Sequence, residues 1–214
     1  MIIIGINLNK NITYHLIFLL FFIFSCASEQ KNPEPGILFE NTWNVDSSSK
    51  VIKLRTEISV KYPTTPEGLY CKSWLADQKG DIKKAIKTVD SLVIGFPGFE
   101  KGLYLRANLR AKQDDNNGAF SDFGKAIKKN PSFFEAYVNR GSLHFQTKHT
   151  DLALKDFQKA DQLKPNQAQV LFNIGNSYMV LGKPDDAYRN WQKSDSLGFG
   201  EAKLALLKFF KTNK

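Results

Sequence analysis

The chain is poor in cysteine and histidine, and after its first thirty residues it has no long apolar run. Only Cys26 and Cys71 are present among 214 residues, too few for the disulfide framework that holds small secreted scaffolds together. The histidines are His15, His144 and His149. The last two are five apart, not the three or four that align side chains on one helix face, so packing or a surface role is expected of them before metal binding. A glycine-rich phosphate loop and a nucleophile motif are also missing, and the chain is expected to hold no cofactor and to catalyse nothing. Asp114-Asp115 and Asp185-Asp186 read as turn and helix-start signals, where carboxylates favour the helix dipole.

Acidic charge is in short supply. The formal balance is +9, and beyond residue 25 there remain 29 basic and 21 acidic residues. Anionic partners would suit that balance, but the lysines are dispersed with no run of five or six, the pattern of a solvated basic surface. Nucleic acid is not an expected partner. Hydrophobic residues make up 42% and charged residues 24% of the chain, the composition of a soluble globular or repeat domain once the N-terminus is set aside.

Residues 16–24, Leu-Ile-Phe-Leu-Leu-Phe-Phe-Ile-Phe, are an uninterrupted apolar run behind Lys10 and ahead of Ser25-Cys26. That is the layout of a secretory signal, and nine residues are too few to span a bilayer, which takes about 20. Ile23-Phe24-Ser25-Cys26 resembles a bacterial lipobox. The resemblance implies removal of residues 1–25 and a lipid on Cys26, with simple cleavage or a retained anchor as alternatives. Two acyl chains, at about 0.8 kcal/mol per buried CH₂, suffice for lasting attachment where one gives marginal binding. Ala27, where sorting rules would read an aspartate as a retention signal, implies an outer-membrane location in the cell envelope. The polar, proline-bearing stretch 26–45 reads as a flexible spacer. Cys71 then has no partner, and is either a small buried hydrophobe or a reactive thiol.

The body repeats itself every 34 residues. Ala85, Ala119, Ala153 and Ala187 keep that step; so do Val89, Phe123, Phe157 and Trp191, then Leu92, Ala126, Ala160 and Ser194, and Pro97, Pro131 and Pro165. Here the sequence resembles the tetratricopeptide-repeat (TPR) family, whose pattern has small residues at positions 8, 20 and 27, an aromatic at 24 and proline at 32. The implied repeats are 66–99, 100–133, 134–167 and 168–201, with Ser73, Ala107, Gly141 and Gly175 at position 8. The fold class expected is all-α, a TPR helix-turn-helix solenoid coiled as a right-handed superhelix. Its four repeats hold eight helices, and capping helices cover its open ends. Residues 46–65 form a half-repeat cap, because Pro63 lies 34 before Pro97. Residues 202–214 form the other, with Ala202, Ala205, Leu206, Phe209 and Phe210 at helical spacing.

In the TPR family the first helices of the repeats line a concave wall, and positions 2, 5, 9, 12 and 13 face the ligand. Counting places Tyr70, Tyr104, Val138 and Phe172 at position 5, Trp74, Asn108 and Asn176 at position 9, and Lys101 at position 2. Tyr104 and Asn108, like Phe172 and Asn176, are four apart and share a helix face. Such a pair offers a ring for apolar contact and an amide that both donates and accepts, suited to a peptide; alternatively some of the rings pack on neighbouring repeats. Position 5 has no lysine, which argues against capture of a terminal carboxylate in the family's manner, and Arg106 and Arg140 are expected beside the helix pair with packed stems. The reading is a membrane-anchored scaffold or adaptor for other proteins or peptides. A spacer docking on anionic envelope lipids, or an accessory subunit of an envelope enzyme, is the alternative.

Overall fold

The computed structural model describes residues 34–43 and 48–210. The apolar run, Cys26 and the first part of the spacer lie outside the described residues. Eleven helices are present among those described: α1 (Pro35–Asn41), α2 (Ser48–Lys61), α3 (Pro66–Gln78), α4 (Ile82–Gly95), α5 (Glu100–Lys112), α6 (Asn116–Lys129), α7 (Phe134–Gln146), α8 (Thr150–Leu163), α9 (Ala168–Val180), α10 (Pro184–Ser196) and α11 (Gly200–Phe209). None is long and apolar enough to cross a membrane.

The first helices of the repeats, α3, α5, α7 and α9 (the A helices), begin 34 residues apart, and α2 lies 34 residues before α4 at both of its ends. The punctuation is local. Helices α2, α4, α6 and α8 each stop two residues before Pro63, Pro97, Pro131 and Pro165, where the residue ahead of a proline is driven out of the α region. The turns within repeats are made by Gly80, Asp114, Lys148 and Gly182, all at positive φ between 60° and 76°, the left-handed conformation that closes a helix C-terminus. Asp81 and Asp115 then cap α4 and α6 by accepting from the backbone N–H of Lys84 and Gly118.

Each A helix packs antiparallel against the helix after it, and every second helix packs on the next A helix, so the elements stack in one direction. The alanines 85, 119, 153 and 187 are fully buried, and Val89, Phe123, Phe157 and Trp191 are at most 1% exposed. The close approach is steric: a methyl on Gly175 would stand 2.4 Å from Trp191 Cδ1, and one on Gly141 would stand 2.9 Å from Phe157 Cε1. Two hydroxyls stitch helix pairs, Ser73 donating to the Ala85 carbonyl at 2.8 Å and Ser194 to that of Ala168 at 2.7 Å. This is an all-α TPR solenoid, as the 34-residue step predicts.

Arg106 and Arg140 do more than pack their stems. Arg106 donates from Nε and Nη2 to the fully buried Asp122 at 2.7 and 2.9 Å, Arg110 adds a bond at 2.7 Å, and Arg140 grips Asp156 at 2.8 and 2.6 Å. Two-pronged pairing of this kind is strong and directional. The partners lie 16 residues apart in both pairs, the second repeating the first one repeat later, so that the two helices of repeats 100–133 and 134–167 are tied alike.

One expectation meets a different arrangement, at the N-terminal end. Of the stretch 26–45 read as a flexible spacer, Pro35–Asn41 is helical, Phe39 is 1% exposed and Thr42 is buried. The physical reason is that Leu38, Phe39 and Trp43 follow a proline placed at the first helical turn, where its fixed φ suits a helix, and their apolar side chains pack against the core of the first repeat. At the far end, α11 starts at Gly200 and buries Ala202, while Leu204, Leu207 and Phe209 are more than half exposed. Phe209 and Phe210 reach back to Trp191, with ring centroids 5.6 and 6.1 Å away.

Candidate peptide-binding groove

Side-chain amides link successive A helices. Asn139 Nδ2 on α7 donates to both the Tyr104 hydroxyl and Asn108 Oδ1 on α5, each at 2.9 Å. Tyr104 and Asn108 thus share a face, as their spacing requires, and Asn139 holds both. Beside them a cavity of about 590 Å³ is walled by Trp43, Arg55, Tyr70, Trp74, Tyr104, Asn108, Lys112, Asn139 and Gln146. Its size suits a few amino-acid side chains. Lys112 is tied to Asp77 on α3 at 2.6 and 2.8 Å, fixing two neighbouring A helices at one rim.

Arg55, from α2, is the charged side chain at the heart of this wall. It is 6% exposed, its guanidinium lies 4.3 Å from the centre of the Trp74 ring and 5.5 Å from that of Tyr70, and its Nε donates to Thr42 Oγ1 at 3.3 Å. No carboxylate pairs with it among the described residues. Ring faces stabilise a cation in such a place.

Tyr70 lies beneath α1 at 2% exposure, its ring 4.9 Å from that of Phe39 and 6.2 Å from that of Trp43. Burial pushes its hydroxyl, and that of Tyr104, above the ordinary phenol range, so both stay protonated donors at any physiological pH. Lys101 pairs with Glu40 of α1 and lies 5.2 Å from the ring centres of Phe39 and Trp43. Cys71, fully buried behind this wall, has its thiol pushed up to about 12 by burial.

Farther along, Phe172 stacks toward Phe199 at 5.2 Å and Trp191 at 6.3 Å, while Asn176 Oδ1 accepts the Trp191 indole N–H at 3.0 Å. Phe172 and Asn176 share a face, but both are engaged in seating Trp191, so this pair serves repeat packing. Val138 is half-buried against the core of repeat 134–167. The structure therefore gathers Tyr70, Trp74, Tyr104 and Asn108 around one cavity, sets Lys101 beside α1, and leaves Val138, Phe172 and Asn176 apart. Arg55 and Asn139 were not among the counted groove positions. Asn139 sits one residue after position 5, and Arg55 belongs to the half-repeat, where no A-helix count reaches.

The family model described as tetratricopeptide repeat matches residues 134–167. No curated protein matches the chain in sequence. Among solved structures, MamA is 20% identical, with 72% of this chain and 90% of that one covered at a TM-score of 0.60. TTC0263, a thermophilic TPR protein of Thermus thermophilus, is 17% identical over 81% of this chain and 96% of that one, with a TM-score of 0.64. YrrB, a TPR protein with an unusual peptide-binding site, is 15% identical over 75% and 84%, with a TM-score of 0.59. At these identities the likeness is one of fold.

Proposed function

We propose that the protein is a non-catalytic adaptor, tethered through a lipid on Cys26 to the outer membrane of a bacterial envelope, that holds a segment of another protein in the A-helix groove. The observation that carries this reading is the 590 Å³ cavity walled by rings and amides from consecutive repeats, the mixture that grips both apolar side chains and backbone. YrrB, with the same fold, has a peptide-binding site. The anchor rests on the order Lys10, apolar 16–24, Ser25-Cys26.

The test is a crosslinking pull-down from native membranes with wild type and Trp74→Ala/Asn108→Ala, matched for expression and melting temperature. Loss of specific partners from the variant is the expected outcome; an unchanged set would move the binding surface elsewhere. In parallel, Cys26→Ser should release the protein from the membrane fraction. A variant that stays bound would contradict the tether.

A further inference from the structure

Helix α1 does not sit where a helix of the stack would sit. A partner for α2 in register would touch the repeat 66–99 and stop there. Instead Trp43 lies 6.1 Å from the ring of Tyr104 and 6.3 Å from that of Phe133, Phe39 lies 5.9 Å from that of Phe99, and Glu40 pairs with Lys101. The segment runs past the first repeat onto the second, from Lys101 and Tyr104 to Phe133 at its end. Phe39 and Trp43 are four apart, one turn, and Glu40 stands beside the first.

We propose that residues 34–43 are a displaceable internal tenant of the groove, and that the external ligand of this half is a helical segment of a partner protein with two aromatic side chains one turn apart and a carboxylate beside the first. The proposal rests on the groove reading above and names its ligand. Three observations carry it. The tenant helix has seven residues and no side-chain N-cap, too short to hold itself together, so its order comes from the groove. Its fit is incomplete: Trp43 Nε1 is buried without a hydrogen-bond partner among the described residues, and Trp43 borders the open 590 Å³ cavity. Finally, Arg55, nine-tenths buried on that cavity, has only the Thr42 hydroxyl as polar partner among the described residues. A longer ligand that satisfied the indole and brought a second carboxylate to Arg55 would gain what the tenant leaves unused.

Tethering favours the tenant, since a short linker gives it a millimolar effective concentration. Displacement therefore needs the better fit, and vacating the groove should expose it. The probe is a labelled synthetic peptide of residues 34–43, titrated by fluorescence anisotropy into the full chain in mild detergent. The expected result is at least about tenfold tighter binding to Phe39→Ala/Trp43→Ala than to wild type, weakened a few-fold when the peptide carries Glu40→Ala. A variant with wild-type circular dichroism that fails to bind would overturn the proposal, making α1 a permanent part of the fold. Should the variant not fold, amide exchange on wild type decides: with about 1 mM peptide the amides of 36–42 should lose protection while α3–α10 keep theirs, and unchanged protection would overturn it. Pull-down partners that still depend on Trp74 and Asn108 after such a failure would leave the groove reading intact.

Discussion

Single residues respond to the solenoid according to which layer holds them. Cys71 is fully buried with its thiol pushed up to about 12, and the thiolate is the reactive form. In a Cys26→Ser chain, an aromatic disulfide reagent should therefore find no thiol at pH 8 until denaturant is added, and then one per chain. Rapid labelling of the native protein would mean that α3 opens readily. His144 stacks on Phe120 at 4.3 Å with Nδ1 buried and unpartnered among the described residues. Burial lowers its pKa; Asp156 opposes this, while Arg140 and His149 add to it. A base whose folded pKa lies below its unfolded value of about 6.5 binds more protons unfolded, so stability falls as pH drops through that range. His144→Phe should accordingly shrink the loss of melting temperature between pH 7.5 and 5.5; an equal loss in the variant would show that other groups carry it.

At the scale of elements, two glycines give opposite answers to the same change. Gly175→Ala sets a methyl against Trp191 at 2.4 Å, and overpacking of this kind costs about 1–3 kcal/mol. Gly124 on α6 has nothing within 4 Å of an added methyl, so Gly124→Ala should stabilise by about 0.5–1 kcal/mol through lower chain entropy. Thermal or denaturant melts of the two variants, read against wild type, check the sign of each. The buried pair between α5 and α6 is a second test. Asp122→Ala leaves Arg106 and Arg110 with only Asp90 and Asp115 as carboxylate partners and should cost up to about 3–5 kcal/mol, whereas replacing Arg106 and Asp122 together by Met and Leu should cost far less. If the single and double variants melted alike, the pair would hold nothing together.

For the whole molecule, the fold could be read because it repeats. Alanines at 85, 119, 153 and 187 and prolines at 97, 131 and 165 are steric demands that recur whenever two helices approach and turn back, so four weak local signals reinforce one another. The groove was legible only in part, because counting positions assumes every repeat spends the same side chains on the same task. Tyr70, Trp74, Tyr104 and Asn108 do line one cavity, but Asn176 is bound to the Trp191 indole, a demand created by a tryptophan where the other repeats have phenylalanine or valine. The Arg106–Asp122 and Arg140–Asp156 pairs could have been found from a 16-residue separation repeated after 34. Helix α1 had no such echo. Its docking depends on contacts from residue 39 to 99 and from 43 to 133, and its trace in the sequence is a short apolar cluster, Ile37, Leu38, Phe39 and Trp43, inside a proline-bearing stretch polar enough to pass for a linker.

Which face of the solenoid meets the partner is the decisive point. A photo-crosslinking residue placed at Asn108, on the groove wall, and separately at Ile94, 79% exposed on a second helix, would be activated in native membranes and the adducts compared. Recognition in the groove predicts specific protein adducts from position 108 and none from position 94. Adducts from position 94 alone would contradict it and place recognition on the outer surface.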